Sequence, residues 1–346
     1  MRIAINGFGR IGRAVFRILD DLENIEIVAI NDLFEPEILR YLASYDTIMG
    51  NFSGCVDIED GHLITANTRA KMLCERDPAL LPWKQLEVDV VIESTGIFRS
   101  RAGASQHLTA GSKRVLLTVP STDAIDFTLV LGANENGLKS EHKIISNASC
   151  TTNCLAPLIK IFHKSFGLKE GVINTVHAYT NDQSLADVPH PDWRRSRAAA
   201  ENIIPTSTGA AIAVGDVLPE LKGRLHGMAT RVPVLNGSVV DLFAELESEV
   251  AAEEINSAIK IASDRDGLRG IIEYSQTPIV SSDIIGNLHS SIFDSLFTQT
   301  RGKYIKILSW YDNEWGYSNR ICDAGFWRVA LQGSERGTPK LMPSFD

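Results

Sequence analysis

The chain has 346 residues, 44% apolar and 22% charged, with a formal net charge of -9; this is too long for one ordinary domain and suits two, each with its own core. The acidic balance argues against a general nucleic-acid binder and means that any small anion needs a local basic pocket. Five cysteines (Cys55, Cys74, Cys150, Cys154, Cys322) form no C-x-x-C, their number is odd, and no two histidines stand at zinc-finger spacing, which argues against a disulfide scaffold or a structural zinc site. The N-terminus has no uninterrupted apolar h-region and no segment approaches a membrane span, so a cytoplasmic enzyme without a membrane partner is the expectation.

In chain order, Ile3 and Ile5 begin a short strand, Ile11, Val15, Ile18, Leu19 and Leu22 recur at helical spacing, and residues 26–30 return to strand. That is a βαβ unit. Further β-branched runs at 88–92, 115–119, 128–132 and 143–146 extend it to a doubly wound parallel sheet. After Cys150 the character changes. One helix is expected to about Phe166, followed by longer alternating stretches at 173–179, 239–246 and 304–310, as in a mostly antiparallel sheet with one exposed or interface face. Between them, 181–204 is a long polar segment with Pro189, Pro191 and three arginines, the kind of ordered loop that carries function or contacts. A last helical pattern past Gly316 (Ile321, Phe326, Val329, Ala330) precedes a Gly/Ser/Pro-rich tail expected to fray. The fold class is α/β, a doubly wound sheet plus an α+β second domain.

Gly7-Phe8-Gly9-Arg10-Ile11-Gly12 follows the first strand and opens the first helix, the context a dinucleotide fingerprint requires. Gly7 permits the tight turn, Gly9 lets backbone approach a pyrophosphate, and Gly12 lets helix and strand pack. Asp32, 20 residues beyond Gly12 at the end of the second strand, can accept from the ribose hydroxyls and repels a 2′-phosphate, so NAD is favoured over NADP. A glycine turn and a capping aspartate explain each feature singly, but not the two together.

Cys150 lies where polar Ser149-Cys150-Thr151-Thr152-Asn153-Cys154 gives way to the apolar run Leu155-Ala156-Pro157-Leu158-Ile159, which places a thiol at a helix N-terminus. There the unpaired N–H groups and the macrodipole favour an anion, so a populated thiolate is expected near neutral pH. A cysteine is in general more often a small buried hydrophobe. His177 ends the run 171–176, where helix and returning strand bring imidazole and thiol together; a lone histidine at a strand end is more often structural.

With Ile5-Asn6-Gly7-Phe8-Gly9-Arg10-Ile11-Gly12-Arg13, the segment 149–157 resembles the phosphorylating glyceraldehyde-3-phosphate dehydrogenases. Thr206-Ser207-Thr208-Gly209-Ala210-Ala211, Arg231-Val232-Pro233 and Trp310-Tyr311-Asp312-Asn313-Glu314 agree, and the likeness runs from residue 2 to about 330. The resemblance implies a Rossmann-type NAD-binding domain (1–149, completed by a helix at about 316–332) and a catalytic domain (150–315); the tail expected from its composition to be flexible (333–346) lies outside the family pattern. It implies that Cys150 attacks the aldehyde carbon, that His177 accepts the hemithioacetal proton, and that inorganic phosphate displaces the resulting thioester. The substrate phosphate is implied on Thr180, Arg197 and Arg231, and the attacking phosphate on Ser149, Thr151, Thr208 and Gly209; which of Arg194, Arg195 and Arg197 turns inward stays open to a residue or two, a solvated face or a subunit contact being the alternative for all three. For the cofactor, Asn313 is implied to hold the nicotinamide carboxamide with Tyr317 beside it, and Arg76 and Thr118 to line its adenine and nicotinamide ends. Pro189 matches the NAD-using form, Cys154 is expected to pack, and a homotetramer is implied in which 181–204 reaches a neighbouring subunit.

Two departures stand out: Gly237, where the family usually has valine, and Val234-Leu235 in place of a common Thr-Pro. Both put local strand geometry in question. Erythrose-4-phosphate dehydrogenase shares these motifs and is the nearest rival; Tyr179-Thr180-Asn181-Asp182-Gln183 and the Thr208-Gly209 pair favour the triose enzyme. A surface role, for instance in nucleic-acid binding, is the alternative of a different class.

Overall fold

A computed structural model describes residues 1–265 and 267–333, and of 325–333 the backbone alone. The chain forms two compact units. The first comprises Met1–Leu129, Asn136–Ala148 and the described residues from Ser318 onward; the second comprises Val130–Glu135 and Ser149–Tyr317. The tail expected to be flexible lies, from residue 334, outside the described residues.

The first unit runs β1 (Arg2–Asn6), α1 (Arg10–Asp20), β2 (Glu26–Asn31), α2 (Pro36–Ser44), β3 (Asp57–Glu59), β4 (His62–Ile64), β5 (Arg69–Leu73), β6 (Val90–Glu93), α3 (Arg101–Thr109), β7 (Arg114–Leu117), β8 (Phe127–Thr128) and β9 (Ile144–Ser146). Its nine strands lie in the order β3-β4-β5-β2-β1-β6-β7-β9-β8. From β5 to β8 every pairing is parallel, as the β-branched runs predict for strands buried on both faces. Strands β3 and β4 add an antiparallel edge that the sequence reading did not find. Ile3, Ala4 and Ile5 of β1 and Ala14, Val15 and Phe16 of α1 are fully buried, joining helix and sheet in one core. The strand expected over 128–132 stops at Thr128. Asn134 Oδ1 accepts from Val130 N–H at 2.9 Å, and Val130 C=O accepts from Ala133 and Asn134 N–H, closing a turn where a ladder would need those groups.

The second unit runs α4 (Cys150–Phe166), β10 (Leu168–Ala178), β11 (Ile204–Ser207), α5 (Ala210–Val217), β12 (Leu225–Val232), β13 (Ser238–Leu246), α6 (Ala252–Ser263), β14 (Ile272–Ser275), β15 (Ser291–Arg301) and β16 (Tyr304–Tyr311). The seven strands lie in the order β11-β12-β10-β13-β16-β15-β14. The sheet is mostly antiparallel, but β10 pairs parallel with β12, as β14 does with β15. The first of these pairings sets the site, because it puts His177 directly opposite Arg231. Helix α4 lies against the sheet and against α5 and α6, buried along most of its length despite Pro157 in its interior. Helix α7 (Trp315–Gly333) follows β16.

Gly237, just before β13, adopts φ +89°, and a Cβ built there would stand 2.4 Å from the carbonyl oxygen of Ser281. The departure from valine therefore fits the local backbone: only glycine takes this conformation without strain. Gly237→Val, although it restores the usual family residue, is expected to destabilise the protein by about 2–4 kcal/mol through backbone strain and overpacking. Denaturant unfolding measures this, and an unchanged or raised midpoint would contradict the assigned backbone.

Candidate active site

Cys150 is the first residue of α4. Ser149 caps the helix, its Oγ accepting from Thr152 N–H at 3.1 Å and lying 2.7 Å from Thr152 Oγ1. His177 lies near the end of β10, and its Nε2 is 3.6 Å from Cys150 Sγ. The imidazole is buried, packed edge-on against the Tyr311 ring. Tyr311 OH sits between Thr151 Oγ1 and Thr175 Oγ1, 2.8 Å from each, joining the start of α4, β10 and the end of β16.

His177 Nδ1 faces two groups of opposite kind. The Ala178 carbonyl oxygen is 2.6 Å away and can only accept; Arg231 Nη1 is 2.6 Å away and can only donate, and it also donates to the Ala178 carbonyl at 2.8 Å. When Nδ1–H donates to Ala178, the Nε2 lone pair faces the thiol and is a base. When Nδ1 accepts from Arg231, Nε2–H faces an ionised sulfur.

Electrostatics correct one expectation. Burial pushes the Cys150 thiol above its ordinary value, opposed by the Arg231 charge and by hydrogen bonds from Thr151 and the Cys150 backbone. The helix N-terminus does not outweigh that desolvation, even though Cys150 is only half-buried. Burial, helped by the Arg231 charge, lowers His177 to about 3. At neutral pH the unliganded pair is a thiol beside a neutral imidazole, so the thiolate must form by proton transfer to Nε2.

The anion-binding candidates separate. Thr208 and Gly209 stand at the start of α5, where Thr208 Oγ1 accepts from Ala210 N–H at 3.2 Å and Gly209 is exposed. Thr180 is half-buried just beyond β10. Arg231 is half-buried, and its buried Nε has no hydrogen-bond partner. Arg197, in contrast, is exposed and paired with Asp187 at 2.8 Å. Arg195, one of the three arginines among which the sequence left the choice open, is half-buried: its Nε donates to Thr206 Oγ1 at 2.8 Å, its Nη2 donates to the Ser207 carbonyl at 3.2 Å, and it pairs with Asp182; its charge is felt at Arg231. Spacing along an irregular loop carries no signal for which of three arginines turns inward.

In the first unit the glycine turn has the expected geometry. Gly7 adopts φ +92°, Gly9 has nothing within 4 Å of a built Cβ, and a Cβ on Gly12 would lie 2.1 Å from the Gly7 carbonyl oxygen. Gly9 is the N-cap of α1 and offers no side-chain cap, and a helix start of this kind suits an anion. Asp32 accepts from Phe8 N–H at 2.7 Å and Phe34 N–H at 3.2 Å, leaving lone pairs for ribose hydroxyls. These residues fit a dinucleotide. Ile11 is half-buried beside them, whereas Arg10 turns away into a bidentate pair with Asp46. Arg76 is exposed, and buried Thr118 donates its hydroxyl to the Glu93 carbonyl at 3.1 Å. In the second unit, Asn313 Oδ1 accepts from Gly237 N–H and Ser238 Oγ–H at 3.1 and 2.8 Å, so Nδ2 is what it can offer a carboxamide. Tyr317 is buried in α7.

Residues 1–101 match the family model of the glyceraldehyde 3-phosphate dehydrogenase NAD binding domain, and residues 149–313 that of the C-terminal domain. The glyceraldehyde-3-phosphate dehydrogenase of Borreliella burgdorferi is 54% identical over 330 residues, covering 93% of this chain and 98% of its own. The chain belongs to the glyceraldehyde-3-phosphate dehydrogenase family. The Priestia megaterium enzyme (52% identical, 93% and 96% covered) and glyceraldehyde-3-phosphate dehydrogenase 1 of Bacillus subtilis (51%, 93% and 96%) are similar to it over the same extent. As a glyceraldehyde-3-phosphate dehydrogenase family member it is an NAD-dependent dehydrogenase whose cofactor is NAD.

The Arg231 charge favours the ionised sulfur. Arg231→Gln is therefore expected to move the midpoint of Cys150 alkylation by iodoacetamide to higher pH, by about one pH unit or more. The accompanying rise in His177 starts from about 3 and leaves the imidazole neutral where the thiol titrates. A midpoint that stays in place or falls would contradict the arrangement.

Proposed function

We propose that the protein catalyses the NAD-dependent oxidative phosphorylation of D-glyceraldehyde 3-phosphate by inorganic phosphate to 1,3-bisphosphoglycerate, with Cys150 as nucleophile and His177 as acid–base. The observation that carries this reading is the 3.6 Å approach of Cys150 Sγ to His177 Nε2 at the start of a capped helix, in a member of this family.

His177, neutral in the buried site, takes the thiol proton at Nε2, and the thiolate attacks the aldehyde carbon to give a hemithioacetal. The returning proton and the Cys150 N–H stabilise the oxygen as it becomes anionic. His177 then removes the hemithioacetal hydroxyl proton as the C–H electron pair departs. Bound NAD supplies the hydride acceptor. The product is a thioester on Cys150. A phosphate oxygen attacks its carbonyl, the C–S bond breaks and the thiolate leaves, conserving in the acyl phosphate the energy that hydrolysis would dissipate. Arg231, with an uncommitted buried Nε, suits the substrate phosphate together with Thr180. Ser149, Thr151, Thr208 and Gly209 suit the attacking phosphate. The inward guanidinium that assists is assigned to Arg195 rather than Arg197.

A homotetramer is part of the proposal. In the segment 181–204, Leu185, Val188, Trp193 and Ile203 are exposed, a surface suited to a neighbouring copy; light scattering is expected to return four chains. Among the described residues no helix is long and apolar enough to cross a membrane, which agrees with a cytoplasmic setting.

The expected kinetics separate the triose enzyme from its tetrose-phosphate relative. Turnover of glyceraldehyde 3-phosphate should depend on inorganic phosphate and exceed that of erythrose 4-phosphate. Cys150→Ser should lose at least about a thousandfold in kcat and still bind NAD. Phosphate-independent oxidation, or a variant that turns over, would overturn the assignment.

A further inference from the structure

Along the C-terminal ends of β2, β1 and β6 runs a row of polar side chains that the proposed chemistry does not use. Asn31, Asn6 and Glu93 are register partners on adjacent strands, and with His107 and Trp83 they are buried at 0–4% exposure. Asn31 Nδ2 donates to Asn6 Oδ1 at 2.7 Å, and Asn6 Nδ2 donates to Glu93 Oε2 at 2.6 Å. His107 Nε2 lies 2.9 Å from the same oxygen, and Trp83 Nε1 is 3.0 Å from His107 Nδ1. Glu93 Oε1 accepts from Thr95 N–H at 2.9 Å and from the Thr95 hydroxyl.

The row has one direction. An indole N–H can only donate, so His107 Nδ1 accepts and the imidazole hydrogen sits on Nε2, pointing at Glu93. The Glu93 carboxylate thus receives four donors and donates nothing. At the other end, Asn31 Oδ1 accepts from Glu75 N–H at 2.8 Å while Asn31 Nδ2 donates to the Glu75 carbonyl, which fixes both amide orientations. A buried polar chain of this length is retained at a cost in stability that apolar residues would avoid, so what it fixes in place matters.

What it fixes is the glycine turn. Gly7 directly follows Asn6, and its N–H donates to the Asn31 carbonyl at 2.8 Å. On the other side, a Cβ on Gly7 would stand 2.7 Å from Thr95 N and 2.8 Å from the Ser94 carbonyl carbon, and Ser94 Oγ donates to the Gly7 carbonyl at 2.6 Å. The turn is seated between the strand ends that Glu93 holds together through Asn6 and Thr95.

We propose that Glu93 is a positioning residue for the cofactor: by receiving Asn6, Thr95 and His107 on one carboxylate it pre-sets the Gly7–Gly12 turn for NAD. The proposal rests on the reading that this turn receives the NAD pyrophosphate. The Glu93 carboxylate is buried and held by Asn6, Thr95 and His107, so its loss acts on cofactor affinity through them and leaves the chemical step intact.

Glu93→Gln tests the direction of the row. An amide whose oxygen keeps the Thr95 donors turns its NH2 toward Asn6 Nδ2 and His107 Nε2–H, placing donors against donors. His107 cannot change tautomer to relieve this while Trp83 donates to Nδ1. Calorimetric titration of the full chain with NAD should give a dissociation constant raised about tenfold or more, with kcat at saturating NAD within about twofold of the parent. Adding Trp83→Phe frees His107 Nδ1 to carry the hydrogen, so the double variant Glu93→Gln/Trp83→Phe should recover at least half of the lost affinity on a logarithmic scale. General destabilisation does not predict that recovery. Thr95→Val keeps the carboxylate and removes only the loop-side hydroxyl, with an expected loss of about threefold in NAD affinity; it carries the test if Glu93→Gln does not fold. A parent that fails to bind NAD, or one whose affinity survives Gly9→Val, would overturn the assignment of the turn to the cofactor. A parent that binds while Glu93→Gln and Thr95→Val bind equally well, or a double variant weaker than the single, would overturn the positioning role alone.

Discussion

The proposed chemistry depends on a sulfur and an imidazole nitrogen held 3.6 Å apart, with the imidazole buried. Desolvation raises the thiol and lowers the imidazole, which makes spontaneous ionisation costly and leaves a neutral base beside an undissociated nucleophile. The Arg231 cation works against that cost at the sulfur and adds to it at the histidine. Its position follows from a pairing unusual in this sheet, the parallel alignment of β10 with β12. The register of two strands therefore governs the state of the thiol.

The anion sites proposed for the two units share a local feature. In each, a helix follows a glycine that offers no side-chain cap, Gly9 before α1 and Gly209 before α5, and at α5 the Thr208 hydroxyl oxygen takes the Ala210 N–H. At the start of α4 the arrangement differs. Ser149 caps α4, and Cys150 takes the first helical position. Beneath the glycine turn, the Asn31–Asn6–Glu93–His107–Trp83 row gives the cofactor end a rigidity that the turn's own glycines cannot supply.

Much of this was legible in the residues because it is local. The βαβ start, the glycine fingerprint with Asp32, and the helix opening at Cys150 are carried by residues close in sequence, and the structure places them as read. What was not legible is non-local. The β3–β4 edge consists of two three-residue strands without clear alternation, and the parallel β10–β12 pair joins segments 54 residues apart at His177 and Arg231. The Asn134 turn that ends β8 needed a side-chain acceptor that an apolar run conceals. Arg195 and Arg197 differ in exposure and in the carboxylate and hydroxyl partners the loop presents, and composition cannot distinguish them. The direction of the Cys150 shift was misjudged for the same reason: the helix N-terminus is visible in sequence, the burial that outweighs it is not.

The most direct measurement is intact-protein and peptide mass spectrometry after mixing the protein with glyceraldehyde 3-phosphate and NAD in the absence of inorganic phosphate. An acyl group should appear on the peptide carrying Cys150 and disappear when phosphate is added. Reduction of NAD with Cys150 unmodified, or an acyl group on another residue, would contradict the account.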